Sequence, residues 1–150
     1  MSEYIRFAKL AILLLVLFVI GRLAVGASGV PYEQGTVIFS LVPLSWTLSF
    51  VFAAFSRPLR GYGWKQAVLL GITIVLTAQI LIFGATVVSY LVGAHTYFNH
   101  PFAIYRGTEP IGLGQAVVQR TIGLVINTIV GGGILSSLGW LGGKMLPKAA

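Results

Sequence analysis

The chain contains no cysteine and no aspartate, and its only acids are Glu3, Glu33 and Glu109. Without cysteine there is no disulfide, no thiolate nucleophile and no thiolate metal site, and the redox compartment is left open. Three scattered glutamates give general acid–base chemistry on paired carboxylates almost no raw material, which excludes carboxylate-dyad hydrolysis. A soluble surface cannot be built either, because charged residues make up 9% of the chain, against about 25% in soluble domains. The intramembrane acid on which small coupled exporters depend is lacking too. Neither a G-x-S-x-G elbow nor an HExxH occurs, and Gly131, Gly132 and Gly133 are not a phosphate loop, because no Lys–Ser/Thr follows them.

What is present is apolar. The 150 residues are 57% hydrophobic, with a mean hydropathy of +0.93, which places the chain in a membrane. The formal charge of +7 comes from ten basic residues that lie mostly between apolar segments rather than clustered on a polar face. They are topology signals and contacts for anionic lipid, not a nucleic-acid surface.

Hydropathy and punctuation predict an all-α integral membrane protein, a single domain over 1–150 with spans at about 8–27, 36–55, 64–92 and 113–142. The first span follows Arg6 and Lys9. It can be a retained anchor whose Arg22 snorkels to the outer headgroups, or a signal peptide with Val25 and Ala27 before the cleavage point. Pro43 in the second span is expected to kink that helix, with Ser40, Ser45 and Ser49 available to the freed groups. In the third, Gln79 and Thr86 share one face, and Thr73, Thr77 and Gly84 an adjacent one. Arg6, Lys9, Arg57, Arg60, Lys65, Lys144 and Lys148 fall on one side, and Arg22, Arg106 and Arg120 on the other. That bias predicts that both termini are cytoplasmic. The segment 93–111, carrying Tyr97, Phe98, Phe102 and Tyr105, becomes an external aromatic loop between the third and fourth helices.

The fourth span concentrates the unusual residues. Ala116, Arg120, Gly123, Asn127 and Gly131 recur at three- and four-residue spacing and so share one face, which should meet protein because small residues let a neighbouring backbone approach. Asn127 and Gln79 are the best candidates for a buried polar contact, Gly139 and Gly143 form a GxxxG, and the glycine triplet can mark close packing or a broken helix at a substrate site. In the loop, His95, His100, Arg106 and Glu109 form, with Arg120, a candidate polar cluster: a clamp on the fourth helix or an anion-facing site. Two histidines in one loop, with Glu109 the nearest carboxylate in sequence, favour interfacial hydrogen-bonding roles over a metal or haem site.

No catalytic residue and no cofactor is assigned. The chain is expected to be a small multi-pass subunit or interaction module of the bacterial plasma (inner) membrane. It would pack laterally against lipid and either a membrane-protein partner or further copies of itself, with no nucleic acid involved. A small oligomeric transporter or channel is the alternative, and a redox or haem-associated subunit the third.

Overall fold

The computed structural model describes residues 2–147. Lys148 and the C-terminal end, which enter the predicted charge bias and topology, lie outside the described residues. Within them the fold is all-helical. A short helix α1 (Ser2–Phe7) leads into α2 (Lys9–Ala27), and a single turn α3 (Tyr32–Gly35) precedes α4 (Leu41–Arg60). The long α5 (Trp64–Leu91) follows, then a loop holding α6 (Pro101–Tyr105). The last helix runs through α7 (Leu113–Asn127), a π-wound segment (Thr128–Leu135) and α8 (Ser136–Gly143) without a break.

Three helices are long and apolar enough to cross a membrane: α2, α5 and the composite Leu113–Gly143. At 20 residues α4 is long enough but less apolar. Arg57, Arg60, two prolines and the serines lower its hydropathy, and the serines point inward: Ser45, Ser49 and Ser56 are all fully buried.

The organising element is α5. It packs against α1, α2, α4, α7, the π segment and α8, and is therefore buried on several sides. Leu70, Ile74, Ala78 and Ile82 of α5 join Ala8, Ala11 and Leu15 from the N-terminal helices, Leu41 of α4 and Phe98 of the loop in one core. Leu13, Leu17, Ile80, Val88, Ile122, Ile126 and Ile129 stay exposed, a distribution that suits hydrocarbon rather than water.

The second long helix begins later than the predicted 36–55 and without a kink at Pro43. The chain turns at Phe39, whose φ of 50° is unusual for a bulky residue. Pro43 therefore falls in the first turn of α4, where a missing N–H removes no intrahelical bond. Phe39 is held there by an edge contact with Phe18 at 5.3 Å and by the absence of a side chain at Gly21, where a Cβ would come within 2.8 Å of the ring.

The glycine triplet also behaves differently from a break. The backbone stays helical and widens into the π form. Gly132 brings it onto Ile72 of α5, where a Cβ would lie 2.8 Å from Ile72 Cα. Gly71 of α5 faces Ser49 and Ser136 with equally little room, and Ser49 Oγ donates to the carbonyl of Gly131 at 2.7 Å. One turn on, Gly139 and Gly143 of α8 lie directly on the carbonyls of Phe50 and Ala54 in α4. The GxxxG thus works inside this bundle. Trp64 Nε1 donates to Ser137 Oγ and Trp140 Nε1 to the carbonyl of Tyr62, both at 3.0 Å, and together these contacts seal the half of the bundle nearest Arg57, Arg60 and Lys144.

Candidate functional site

At the other end the helices part. α4 packs on α5, α8 and the π segment, and α7 on α5 and α6, so the N-terminal half of α4 and α7 splay apart. A cavity of about 460 Å³ occupies the gap. Leu41, Pro43 and Trp46 of α4 form one wall, Gln119, Arg120, Gly123 and Asn127 of α7 the other, and Gln79 and Ile82 of α5 the floor. Arg22 and Tyr32 close one side, and Tyr97, Phe98, Ala103, Ile104 and Arg106 form a roof.

Arg120 is anchored on three sides. Its Nε donates to Thr86 Oγ1 at 3.0 Å, Nη1 to the carbonyl of Ala103 at 3.1 Å and Nη2 to that of Phe98 at 2.8 Å. These bonds tie the loop and α5 to α7 and use three of the five N–H groups of a guanidinium.

Arg22 does not snorkel outward. It is 7% exposed and turned into the bundle, where Nη1 donates to the carbonyls of Thr36 and Ile38 at 3.3 and 3.0 Å. Its guanidinium lies 5.3 Å from the ring centre of Tyr97 and 5.8 Å from that of Tyr32. The Tyr97 hydroxyl in turn donates its proton to the carbonyl of Val30 at 2.8 Å or of Pro31 at 3.1 Å. Arg106, itself in the left-handed conformation, is exposed and rests over Phe102 at 5.3 Å.

Three arginines therefore line one cavity, and none of the chain's three glutamates does. Among the described residues, four buried side-chain polar atoms lack a partner. Two of them, Trp46 Nε1 and Gln79 Nε2, belong to this lining, and both are donors. Asn127 does not meet Gln79. Its Nδ2 donates to the carbonyl of Gly123 at 2.7 Å, within its own helix. The two amides share a cavity, not a hydrogen bond.

The shared face of the last helix splits accordingly. Ala116 is fully buried and Gly131 is pressed against Trp46, but Gly123 opens on the cavity, where a Cβ would meet only Asn127 Nδ2, at 3.8 Å. The loop residues do not gather into one cluster. His100 stacks on Tyr32 with ring centres 4.3 Å apart, and with His95 it lines a separate pocket of about 350 Å³. Glu109 takes part through its backbone carbonyl, which accepts from the Tyr105 hydroxyl at 2.6 Å. No group of three or more potential metal ligands occurs among the described residues.

Sequence reasoning missed Trp46, Tyr32, Tyr97 and Gln119 as part of this site, and took Arg22 for an interfacial residue. An arginine late in an apolar run was the available signal; which way it turns depends on the loop carbonyls 14 and 16 residues later. No known protein family, curated protein or solved structure matches the chain.

Proposed function

We propose that this chain is a four-span membrane protein with both ends cytoplasmic, and that it acts as a non-catalytic binding module, taking a membrane-borne partner sideways between α4 and α7. The observation that carries this reading is the polar cavity in that gap, which is bordered by α4 and α7 in the half of the bundle away from the basic corner.

The inward serines support α4 as the fourth span. Ser45, Ser49 and Ser56 donate to the carbonyls of Val42, Gly131 and Ala53, leaving Phe50, Val51, Phe55 and Leu59 on the outside. A span whose polar groups are satisfied internally tolerates a lower average hydropathy. The arrangement of the basic residues supports the orientation. Arg60 lies over Phe7, and Lys144 over Trp140, whose indole reaches Tyr62 beside Glu3. Arg57, Arg60, Lys65 and Lys144 thus gather at the end where the chain starts, as the positive-inside rule requires of a cytoplasmic face. Core positions Ala8, Ala11 and Leu15, together with Arg22 at the cavity, favour α2 as a retained anchor. The bacterial plasma membrane is the compartment this reading implies.

A transporter or channel is the weaker reading, because Gly139, Gly143, Gly71 and Ser49 bring α4, α5 and α8 into contact below the cavity and leave no room there for a pathway.

The absence of cysteine makes the test direct. Single variants Thr108→Cys and Met145→Cys should react with an impermeant maleimide from opposite sides of the membrane. A spin label at Gly123→Cys should report a polar, relaxant-accessible site, and one at Ile129→Cys a lipid site. Labelling of 108 and 145 from the same side removes the four-span topology; a label at 123 that cannot be reached removes the lateral opening.

A further inference from the structure

We infer that the occupant of the cavity is an anionic phosphoryl group, with its remaining polar headgroup atoms against the amide floor and its apolar part leaving between α4 and α7. The inference rests on the lateral-binding reading and names the ligand class for that site.

The donors and acceptors on the walls decide the chemistry. Arg120 has two N–H groups left after its three bonds, and Arg22 has three left after its two. Arg106 is held only by an aromatic face, so its fork is free to turn inward. Gln79 Nε2 adds a donor that no protein atom answers, whereas Trp46 Nε1, equally unanswered, is turned against Gly131. Gln79 is 5% exposed, and a buried donor without a partner is costly, so its retention calls for an acceptor that arrives from elsewhere. The terminal torsion of a glutamine is broad, so a modest rotation presents that N–H to an occupant.

Positive charge and surplus donors without a carboxylate to neutralise them select an anion with several acceptor oxygens. Guanidinium groups from three separate elements match the three or four oxygens of a phosphoryl group better than the two of a carboxylate. At about 460 Å³ the space exceeds a bare phosphate and suits a headgroup. Leu41, Val42, Pro43 and Ile104 at the α4 side and roof give an apolar exit toward the acyl region.

The test uses the full chain in nanodiscs of phosphatidylcholine with a minor fraction of phosphatidylglycerol, counting lipid retained on the protein by native mass spectrometry. Both lipids carry the phosphoryl group, but choline sets a cation among three arginines and lacks the glycerol hydroxyls that can meet the amide floor, so wild type should retain phosphatidylglycerol over phosphatidylcholine by about tenfold, the value of one hydrogen bond to a charged group. Arg106→Gln and Gln79→Leu should each lose most of that preference, and Arg106→Lys should recover part of it. Thermal unfolding of the lipid-free variants should be unchanged, or raised for Gln79→Leu, since an unanswered donor is removed. Excess inorganic phosphate separates the sources: displacement of the lipid identifies a soluble phosphate as the ligand, and persistence of the lipid identifies the headgroup. Equal retention of the two lipids by wild type, with no protection by phosphate, overturns the inference, as does undiminished preference in both variants. A reachable label at residue 123 with no anion preference removes the ligand class alone; a sealed position 123 removes the lateral opening as well.

Discussion

Arg120 Nε and Thr86 Oγ1 meet at 3.0 Å, and through this contact the last helix is locked to α5 where the loop 93–111 crosses both. The Thr86 hydroxyl accepts from Arg120 and keeps its own proton for the carbonyl of Ile82 at 2.8 Å or of Phe98 at 3.2 Å. Thr86→Val retains the shape and leaves one guanidinium N–H unanswered, which should destabilise the bundle by about 1–3 kcal/mol. Arg120→Lys should do more, because an ammonium cannot span the hydroxyl and two carbonyls at once. Thermal unfolding in detergent and limited proteolysis within 93–111 measure both effects. A Thr86→Val protein as stable as wild type, with a loop equally protected, would show that the contact is incidental.

The all-helical class, α2 and α5 were legible because apolar runs bounded by Gly, Pro and basic residues mark helices long and apolar enough to cross a membrane. Rotation and depth were not. Arg120, Gly123, Asn127 and Gly131 do share a face, but that face leaves the bundle where α7 diverges from α4, so Gly131 touches Trp46 while Gly123 borders empty space. Spacing along one helix carries no information about the crossing angle of its neighbour. The π winding over Thr128–Leu135 also shifts the phase of everything beyond it, which α-helical spacing cannot anticipate. Pro43 was misplaced for a related reason: the left-handed turn at Phe39 that starts α4 late has no residue-type signal.

The two histidines should separate. His100 lies flat on Tyr32, with rings within 5° of parallel, and its buried Nδ1 has no partner. His100→Ala should lose about 0.5–1.5 kcal/mol of stacking. His100→Phe should regain it, because the ring is kept and the unanswered nitrogen removed. His95→Ala, at an exposed loop position, should leave unfolding unchanged. Equal losses at 95 and 100 would point to a joint role for the imidazoles, and a metal or chromophore released by the double alanine variant would establish one.

Tyr62 gives the basic end an alkaline limit. Its hydroxyl donates to Glu3 Oε1 at 2.8 Å, and its ring meets Tyr4 and Phe7 edge-on. Burial, and then the bond to the Glu3 carboxylate, raise its pKa above the usual tyrosine value. The folded protein therefore holds this proton to higher pH than the unfolded chain. The associated stability is complete below the ordinary tyrosine value of about 10 and is lost as pH rises through the higher folded value. Tyr62→Phe should remove this part of the alkaline loss and lower stability at neutral pH by about 1 kcal/mol. A variant whose alkaline unfolding curve matches wild type would assign the loss to other groups.

Glycine substitutions along the last helix distinguish sealing contacts from cavity wall. At Gly139 and Gly143 an added Cβ runs into the backbone carbonyls of Phe50 and Ala54, and at Gly132 into Ile72 Cα. Backbone cannot step aside as a side chain can, so even alanine at these positions should separate helices and cost about 1–3 kcal/mol, with leucine preventing folding. Gly131→Leu strikes Trp46 and Val75 and belongs with them. Gly133 and Gly142 have nothing within 4 Å, so alanine there should be neutral or stabilise by up to about 1 kcal/mol through helix propensity. Gly123→Leu is the decisive member of the series. Facing open space, it should fold and unfold as wild type does, yet fill the cavity and abolish whatever that cavity binds. Asn127→Leu should likewise fold, because its amide satisfies only the carbonyl of Gly123, a bond worth about 0.5–2 kcal/mol at most. If Gly123→Leu instead disrupts the bundle while Gly139→Leu does not, α7 and α4 pack together at the loop end, and the opening between them does not exist.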